Sequence, residues 1–275
     1  MDGRIHNFEE TLDVRTSIDS SNIWSRDFWP MTSSMKRSVV ITGGGTGIGA
    51  ATAELFARTG HDVTITGRRS DVLATTAKRL GVTHTAFDAS DPAAVQTALD
   101  QMPATIDVLV NNAGGNTDRR RPTVAAGDLA GVADAWRANF EANVLTTVLV
   151  TEALKPRLAD GARIVTVGSV AAKQGSGSYG AAKAALEAWN VEIARTLGSR
   201  RITANVVAPG VTLDTEFFAG TVSEEWVAAR VSAAFNRRPG TPNEIAEAIF
   251  FLCRPDSGHL TGQVIHVNGG AYAAR

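Results

Sequence analysis

Residues 38–49 are Ser38-Val39-Val40-Ile41-Thr42-Gly43-Gly44-Gly45-Thr46-Gly47-Ile48-Gly49, and the rest of the fold is inferred outward from them. The first five residues are rich in β-branched side chains, which predicts a short buried strand. A glycine-rich turn follows, and the segment from Ala50 to Arg58 favours a helix that stops at Gly60. Glycines in such a turn let the backbone approach a pyrophosphate, whose charge is favoured by the helix N-terminus. The pattern predicts a dinucleotide-binding site rather than a merely flexible turn.

The remainder of the chain continues this alternation of strand and helix. Strand-like and helix-like segments follow one another from Val39 to Val267 without a linker. Their order predicts an α/β fold with a doubly wound, Rossmann-type parallel sheet in three layers. We expect a single domain over residues 36–275. Ligands in this fold class lie outside the carboxyl ends of the strands, so residues 211–238 are expected to form a lid over the substrate.

The first 35 residues have a different character. They carry scattered Asp, Ser and Arg without sustained periodicity, and they lack the basic start and apolar core of a secretory signal. This composition predicts a flexible N-terminal extension over residues 1–35. The alternative is that its aromatic patch, from Trp24 to Pro30, docks on the domain or on a partner subunit.

Composition excludes several other classes of protein. The 275 residues carry 27 Lys and Arg against 28 Asp and Glu, a near-neutral balance that argues against a nucleic-acid partner. Cys253 is the only cysteine, which excludes an intramolecular disulfide and suits a reducing compartment. No apolar run reaches the roughly 18 residues of a membrane span. We therefore expect a cytoplasmic protein without a metal site, a membrane anchor or a nucleic-acid partner.

Tyr179 and Lys183 are four residues apart, a spacing that places a phenol and an ammonium on one helix face. A nearby cation favours the phenolate, so the pKa of Tyr179 is expected to fall from about 10 toward neutrality. Such a group can protonate a carbonyl or deprotonate an alcohol during hydride transfer. By itself the pair is also compatible with two ordinary surface residues whose polar tips reach water.

Taken in order, these segments resemble the short-chain dehydrogenase/reductase family. Thr42, Gly43, Gly47 and Gly49 match the family's Thr-Gly-x-x-x-Gly-x-Gly motif, and Asn111-Asn112-Ala113-Gly114 resembles its Asn-Asn-Ala-Gly element. The resemblance extends over about residues 36–272. It implies the same fold that the alternation of strands and helices predicts, and it implies a nicotinamide cofactor.

The resemblance also implies a catalytic set of Asn143, Ser169, Tyr179 and Lys183. Ser169 would hydrogen-bond the substrate oxygen while Tyr179 transfers the proton. Lys183 would stabilise the tyrosinate and hold the nicotinamide ribose, and Asn143 would anchor a water that relays protons to Lys183. The alternatives are that Ser169 bonds only local backbone and that Asn143 only satisfies a helix kink.

Ser169 and Tyr179 are only ten positions apart, about three fewer than in many relatives. The intervening segment is rich in glycine and serine, which favours a tight turn with Ser178 as the N-cap of the next helix. Ser176 or Ser178 is then an alternative to Ser169 as the serine nearest the substrate.

Cofactor contacts are expected along the carboxyl ends of the strands. The residues concerned are Thr42, Gly43, Gly45, Thr46, Gly47, Ile48, Arg68, Arg69, Asp88, Asn112, Ala113, Gly114, Tyr179, Lys183, Pro209, Gly210 and Thr212. Gly67-Arg68-Arg69 stands where NAD-binding folds place an acid, and two guanidiniums suit a 2′-phosphate. NADP is therefore preferred, with NAD as the alternative. Asp88 resembles the acid that bonds the adenine amino group, and either Thr212 or Thr215 is expected to face the nicotinamide carboxamide.

These features predict an NADP(H)-dependent oxidoreductase that interconverts a carbonyl and a secondary alcohol. A narrower alternative is a 3-oxoacyl-thioester reductase, and a different one is a non-catalytic dinucleotide sensor. The run from Arg119 to Arg121 is either a substrate contact or a solvated charge run, with the second favoured. Phe217 and Phe218 are candidate substrate contacts, whereas Trp226 and Phe235 are expected to serve helix packing. The resemblance implies a homotetramer, with a dimer as the alternative.

Overall fold

The computed structural model describes residues 36–218 and 222–273, so the extension predicted at residues 1–35 lies outside the described residues. Within the described residues, seven strands form one parallel sheet. The strands are β1 (Ser38–Thr42), β2 (Asp62–Gly67), β3 (Thr83–Ala86), β4 (Ile106–Asn111), β5 (Leu158–Val167), β6 (Thr203–Pro209) and β7 (Val264–Val267). The helices are α1 (Gly47–Arg58), α2 (Ser70–Leu80), α3 (Pro92–Ala98), α4 (Leu129–Phe140), α5 (Thr146–Leu154), α6 (Ala171–Gln174), α7 (Gly177–Leu197), α8 (Glu224–Ala233) and α9 (Pro242–Cys253).

The strand order is β3-β2-β1-β4-β5-β6-β7, so the chain builds outward from β1 and then crosses back to start β4. Ile41 of β1 pairs with Ile65 of β2 on one side and with Val110 of β4 on the other. The direction of winding therefore reverses between β1 and β4, and a crevice opens there at the carboxyl ends of the strands. The prediction of a doubly wound, Rossmann-type parallel sheet is confirmed.

Helices cover both faces of the sheet and complete the three layers. One apolar cluster joins the sheet to α1, α2 and α9, and its largest fully buried side chain is Phe56. A second cluster on the opposite face joins the sheet to α3, α5 and α7 through residues such as Leu109 and Leu154. Both faces of the strands are buried, which explains why their sequences are continuous apolar runs rather than alternating ones. None of the helices in these described ranges is long and apolar enough to cross a membrane.

The turn between β1 and α1 is held by hydrogen bonds to the strand beside it. The Thr42 hydroxyl accepts the backbone N–H groups of Asn112 and Ala113, both at 3.0 Å. The Asn112 amide in turn donates to the carbonyls of Thr42 and Gly43, also at 3.0 Å. A Cβ on Gly49 would lie 2.5 Å from Asn112 Nδ2 and closer still to the Gly43 carbonyl. The turn can therefore close against β4 only if residue 49 has no side chain.

Large apolar side chains are exposed on α4, on α7 and at the junction before α5. Leu129 is 80% exposed, and the side chains that share this exposure on α4, at the start of α5 and on α7 are Val132, Trp136, Leu145 and Val191. Single exposed apolar side chains are common on proteins, whereas a contiguous patch of them marks an interaction surface.

Substitution of Gly49 by Ala is expected to destabilise the domain, because the clash is with backbone and with an amide held by two hydrogen bonds. The expected loss is about 1–3 kcal/mol of unfolding free energy, typical of overpacking. Urea denaturation measures it. Gly198→Ala is the matched control, since a Cβ there meets nothing within 4 Å and φ is −59°. Equal stability of the two variants would contradict this account of the turn.

Candidate active site

Tyr179 and Lys183 lie together on the buried face of α7, as their spacing predicts, and they are 7% and 4% exposed. The Lys183 ammonium donates to the Val167 carbonyl, the last residue of β5, at 2.8 Å. Its Nζ lies 5.9 Å from the centroid of the Tyr179 ring. The alternative of two surface residues is therefore wrong, and α7 presents the pair at the carboxyl end of the central sheet.

The electrostatics of the pair differ from the expectation. Burial raises the pKa of Tyr179 to about 12, although a hydrogen bond with Ser169 and the charge of Arg119 both act to lower it. Burial also lowers the pKa of Lys183 to about 8, because its ammonium is removed from water. The predicted fall of the Tyr179 pKa toward neutrality is thus wrong in this structure, since desolvation outweighs the nearby cation.

Ser169 follows β5, and its hydroxyl contacts both local backbone and the phenol of Tyr179. Its hydroxyl accepts the N–H of Ala171 at 3.1 Å, which is the local backbone bond, and it also bonds Tyr179. The short segment after it contains α6, whose C-terminal Gly175 has φ of +68°. Ser169 is therefore the serine in contact with the buried phenol despite the shortened spacing.

Ser178 is not the N-cap of α7, which the sequence predicted, because the helix begins at Gly177 and its capping position is Ser176. The Ser178 hydroxyl instead donates to Asp118 Oδ2 at 2.9 Å and accepts from Asn139 Nδ2 at 2.9 Å. Asn139 also accepts the N–H of Thr117 at 3.1 Å. Sequence reasoning missed this network, which fastens the segment after β4 to α4 and α7. The signal available was the placement of Asn139 one helical turn before Asn143.

Asn143 lies in a π-helical turn, Glu141–Leu145, between α4 and α5. Its side-chain oxygen accepts the N–H of Gly115 at 3.1 Å, and its amide donates to the carbonyls of Gly115 and Asn139, both at 2.9 Å. A Cβ on Gly114 would lie 2.6 Å from that oxygen. The side chain therefore ties the irregular helix to the segment after β4, and a π-bulge of this kind often accompanies a functional site.

The glycine turn fits the pyrophosphate of a dinucleotide. Gly43 and Gly47 have φ of +64° and +53°, a region that disfavours other residues. Thr46 precedes α1 in extended conformation and makes no side-chain capping bond within the described chain, so the first-turn N–H groups stay open to an anion. Gly45 and Ile48 hold the turn in place, since their carbonyls accept Thr76 Oγ1 at 2.8 Å and Thr52 Oγ1 at 2.7 Å, respectively.

The residues expected to bind the ribose and adenine of the cofactor lie just after the ends of β2 and β3. Arg69 is the residue before α2, and its guanidinium pairs with Glu216 at 2.5 Å. Burial acts to raise the pKa of Asp88, but two hydrogen bonds from Ser90 and, to a smaller extent, the charge of Arg68 lower it below its ordinary value. Arg69 is thus occupied by a carboxylate of the lid segment, whereas within the described residues no carboxylate forms an ion pair with Arg68.

The segment that follows β6 approaches the same crevice. Pro209 is the last residue of β6, and a Cβ on Gly210 would lie 2.9 Å from Asn268. Thr212 is buried and forms a backbone bridge with Gly240. Thr215 instead lies against the glycine turn, because a Cβ on Gly47 would be 3.3 Å from its side chain. Of the two threonines, Thr215 is the one that contacts the dinucleotide turn.

Aromatic side chains from residues 217–226 surround the mouth of the site, and the guanidinium of Arg119 lies over their rings. The rings of Tyr179 and Phe217 are 5.8 Å apart, and Phe218 lies 4.8 Å from Phe217. Trp226 lies 5.6 Å from Phe218, so it belongs to this cluster rather than to helix packing in the core. Phe235 is 76% exposed and follows α8, so its predicted packing role is wrong. Phe217 and Phe218 do lie at the site mouth.

Comparison with known proteins agrees with the geometry. A family model described as enoyl-(acyl carrier protein) reductase matches residues 43–272. The 3-oxoacyl-[acyl-carrier-protein] reductase of Escherichia coli is 31% identical over 243 residues, 85% of this chain and 96% of that protein. A short-chain dehydrogenase from Burkholderia cenocepacia, solved with NADP, has a TM-score of 0.76 and 31% identity over 86% of this chain and 98% of its own. A 3-oxoacyl-[acyl-carrier protein] reductase from Brucella melitensis, solved with bound NAD, has a TM-score of 0.77 and 30% identity over 88% and 94%.

The lowered pKa of Lys183 predicts a pH-dependent stability. Between the folded value of about 8 and the ordinary value of 10.5, the unfolded state binds more protons, so this group makes the unfolding free energy rise with pH. Between pH 8 and pH 10, wild type should gain about 2 kcal/mol relative to Lys183→Met. Urea titrations at both pH values measure the difference. Lys78 is exposed, so the unfolding free energy of Lys78→Met should change with pH as that of wild type does. The same pH dependence in Lys183→Met would contradict the lowered pKa of the buried ammonium.

Proposed function

The chain belongs to the short-chain dehydrogenase/reductase family of oxidoreductases, and from that premise we propose that it interconverts a carbonyl and a secondary alcohol with NADP(H). The observation that carries the proposal is the convergence of Tyr179, Ser169 and Lys183 at the carboxyl end of β5. The glycine turn that fits a pyrophosphate lies at the same edge of the sheet, after β1. This placement would bring a proton donor and a dinucleotide site to one crevice.

In the reducing direction, Tyr179 is the proton donor. Its pKa of about 12 keeps the phenol protonated at neutral pH, which is the form that an acid requires. The Ser169 hydroxyl, already bonded to the phenol, would donate to the same substrate oxygen and fix its position. The nicotinamide supplies the hydride when it is bound.

Lys183 would stabilise the phenolate that remains after proton transfer. Its pKa of about 8 leaves the ammonium largely charged at pH 7, and its bond to the Val167 carbonyl holds it beside the ring. A charge held at low dielectric stabilises a developing anion more strongly than one in water. In the oxidising direction the phenolate of Tyr179 would accept the alcohol proton, and loss of the Lys183 charge above pH 8 would weaken the support of that phenolate.

The cofactor is proposed to be NADP, with NAD as the alternative. Arg68 is the guanidinium available to a 2′-phosphate, and Arg69 would join it by leaving Glu216. This exchange costs little free energy, because the side chains of Arg69 and Glu216 are 56% and 49% exposed and an exposed ion pair stabilises a protein only slightly. Asn112, Ala113 and Gly114 would line the crevice between the two halves of the dinucleotide.

A narrower candidate is the reduction of 3-oxoacyl thioesters. It is favoured by the names of the Escherichia coli and Brucella melitensis relatives, both 3-oxoacyl-[acyl-carrier-protein] reductases. A non-catalytic dinucleotide sensor is disfavoured, because a sensor has no use for a buried Tyr179 that bonds Ser169 and lies beside the buried ammonium of Lys183. We also propose a homotetramer, with a dimer as the alternative, since α4 and α7 expose Leu129, Trp136 and Val191.

Tyr179→Phe is expected to abolish turnover while leaving NADPH binding within about threefold, because it removes only the phenolic hydroxyl. General acid catalysis typically contributes about 10²- to 10⁴-fold in rate. NADPH depletion with a panel of ketones, quinones, keto sugars and 3-oxoacyl thioesters measures turnover, and nucleotide fluorescence measures binding. Tyr272→Phe is the matched control, since Tyr272 is the other tyrosine of the sequence and its ring lies edge-on to His266 with 4.8 Å between the centroids. Wild-type activity in Tyr179→Phe would refute the proposal.

Wild type is expected to prefer NADPH to NADH in kcat/KM, and Arg68→Ala should reduce that preference by about 10- to 100-fold, the value of a charge-assisted contact. Arg79→Ala is the control, because Arg79 lies at the far end of α2 and pairs with Glu54. The test is to measure kcat/KM with NADPH and with NADH side by side for each protein. A wild-type preference for NADH would overturn the choice of NADP.

A further inference from the structure

Arg119 is held at the mouth of the site by three aromatic rings of the lid segment. Its guanidinium carbon lies 5.4 Å from the centroid of Phe217, 5.0 Å from Phe218 and 4.9 Å from Trp226. Stacking of this kind orients the guanidinium plane and leaves its N–H edge for a ligand. Phe217 also contacts Tyr179, so the guanidinium and the phenol lie against the same ring.

The segment that carries Arg119 is fastened immediately before that residue. Thr117 donates its N–H to Asn139, and Asp118 accepts the hydroxyl of Ser178. Ser178 lies in the first turn of α7, immediately before Tyr179. The position of Arg119 relative to the phenol is therefore set by hydrogen bonds rather than by a free loop, which is what a selective contact requires.

No acid neutralises this cation within residues 36–218 and 222–273. Arg119 forms no ion pair there, and its buried Nε–H has no hydrogen-bond acceptor. Arg230 stacks on the same Trp226 ring at 5.2 Å and adds a second positive charge. A desolvated guanidinium without a counter-ion is costly for the protein alone, and an anionic ligand would relieve that cost.

We propose that Arg119 binds a carboxylate or phosphate group carried by the carbonyl substrate itself, which makes the substrate a keto acid or a keto phosphate. The inference rests on the proposed function and narrows its substrate class. The anion would accept the guanidinium N–H groups while the carbonyl of the same molecule reaches Ser169 and Tyr179. The Phe217 ring lies between the Arg119 guanidinium and the Tyr179 phenol. A substrate that reaches both therefore has only a short linker between its anion and its carbonyl. The phosphate of a carrier-bound thioester is many bonds from its carbonyl and does not suit this position.

Two matched sets of substrates test the proposal with NADPH as reductant. The first compares 4-acetylbenzoate with its methyl ester and with 4-acetylphenyl phosphate, and the second compares 4-oxopentanoate with its methyl ester. In wild type, kcat/KM should favour an anion over the neutral ester by about 10- to 100-fold, the value of a charge-assisted hydrogen bond. Comparison of the carboxylate and the phosphate shows which anion the site takes.

Variants then assign the preference to one residue. Arg119→Met should bring the anion-to-ester ratio close to 1, and Arg119→Lys should restore part of it because the charge is kept and the fork is lost. Arg120→Met is the matched control, since the neighbouring Arg120 is exposed and lies outside the aromatic cluster, and it should keep the wild-type ratio. An ester preference in wild type, or an unchanged ratio in Arg119→Met, would overturn the proposal.

Calorimetry separates failure of this inference from failure of the proposed function. If none of the carbonyls is turned over, the proposed activity fails for these substrates, and binding of 4-acetylbenzoate and its ester is compared directly. Binding of the acid that is lost in Arg119→Met and kept in Arg120→Met would still support the anion site. Equal binding of acid and ester would reject it.

Discussion

The bond from the Lys183 ammonium to the Val167 carbonyl fixes the geometry on which the rest of the site depends. It ties α7 to the carboxyl end of β5, and it does so with a charged donor in a buried setting, where such a bond is strong and its loss is costly. Tyr179 is one helical turn away on the same face, so its phenol comes to rest beside Ser169, just beyond that strand end. The same burial raises the pKa of the phenol and lowers that of the amine. A protonated acid and a cation thus stand together at neutral pH.

A second constraint brings the dinucleotide turn to the same edge. The Thr42 hydroxyl and the Asn112 amide link β1 to β4 where the winding of the sheet reverses. The parallel arrangement places the ends of β4 and β5 side by side, since Asn111 pairs with Thr166. Sheet order therefore brings the glycine turn and the end of β5 to the same edge, and the Lys183 bond then places the phenol at that edge. Arg119, held against Phe217, Phe218 and Trp226, gives the mouth of this crevice a positive charge that a simple apolar pocket lacks.

Local patterns along the chain predicted much of this arrangement. The glycine turn depends on residues within one strand, one turn and one helix, and the Tyr179–Lys183 face depends on helical spacing alone, so both were predictable. The Ser178 to Asp118 bond joins residues 60 positions apart, and the Arg69 to Glu216 pair spans 147 positions. Neither has a local signature, because it arises only when the folded sheet brings separate loops together. The direction of the Tyr179 pKa was missed for a related reason: spacing reveals a neighbouring cation, whereas burial depends on the whole domain.

Isotope transfer tests the central claim most directly, because it follows the reacting atoms. NADPH carrying deuterium at each C4 position of the nicotinamide in turn would be incubated with the wild-type protein and a ketone that it turns over. The account predicts that one of the two labelled forms delivers deuterium to the carbinol carbon, with the hydroxyl hydrogen coming from solvent. A carbinol carbon that carries only solvent hydrogen with both labelled forms would contradict it.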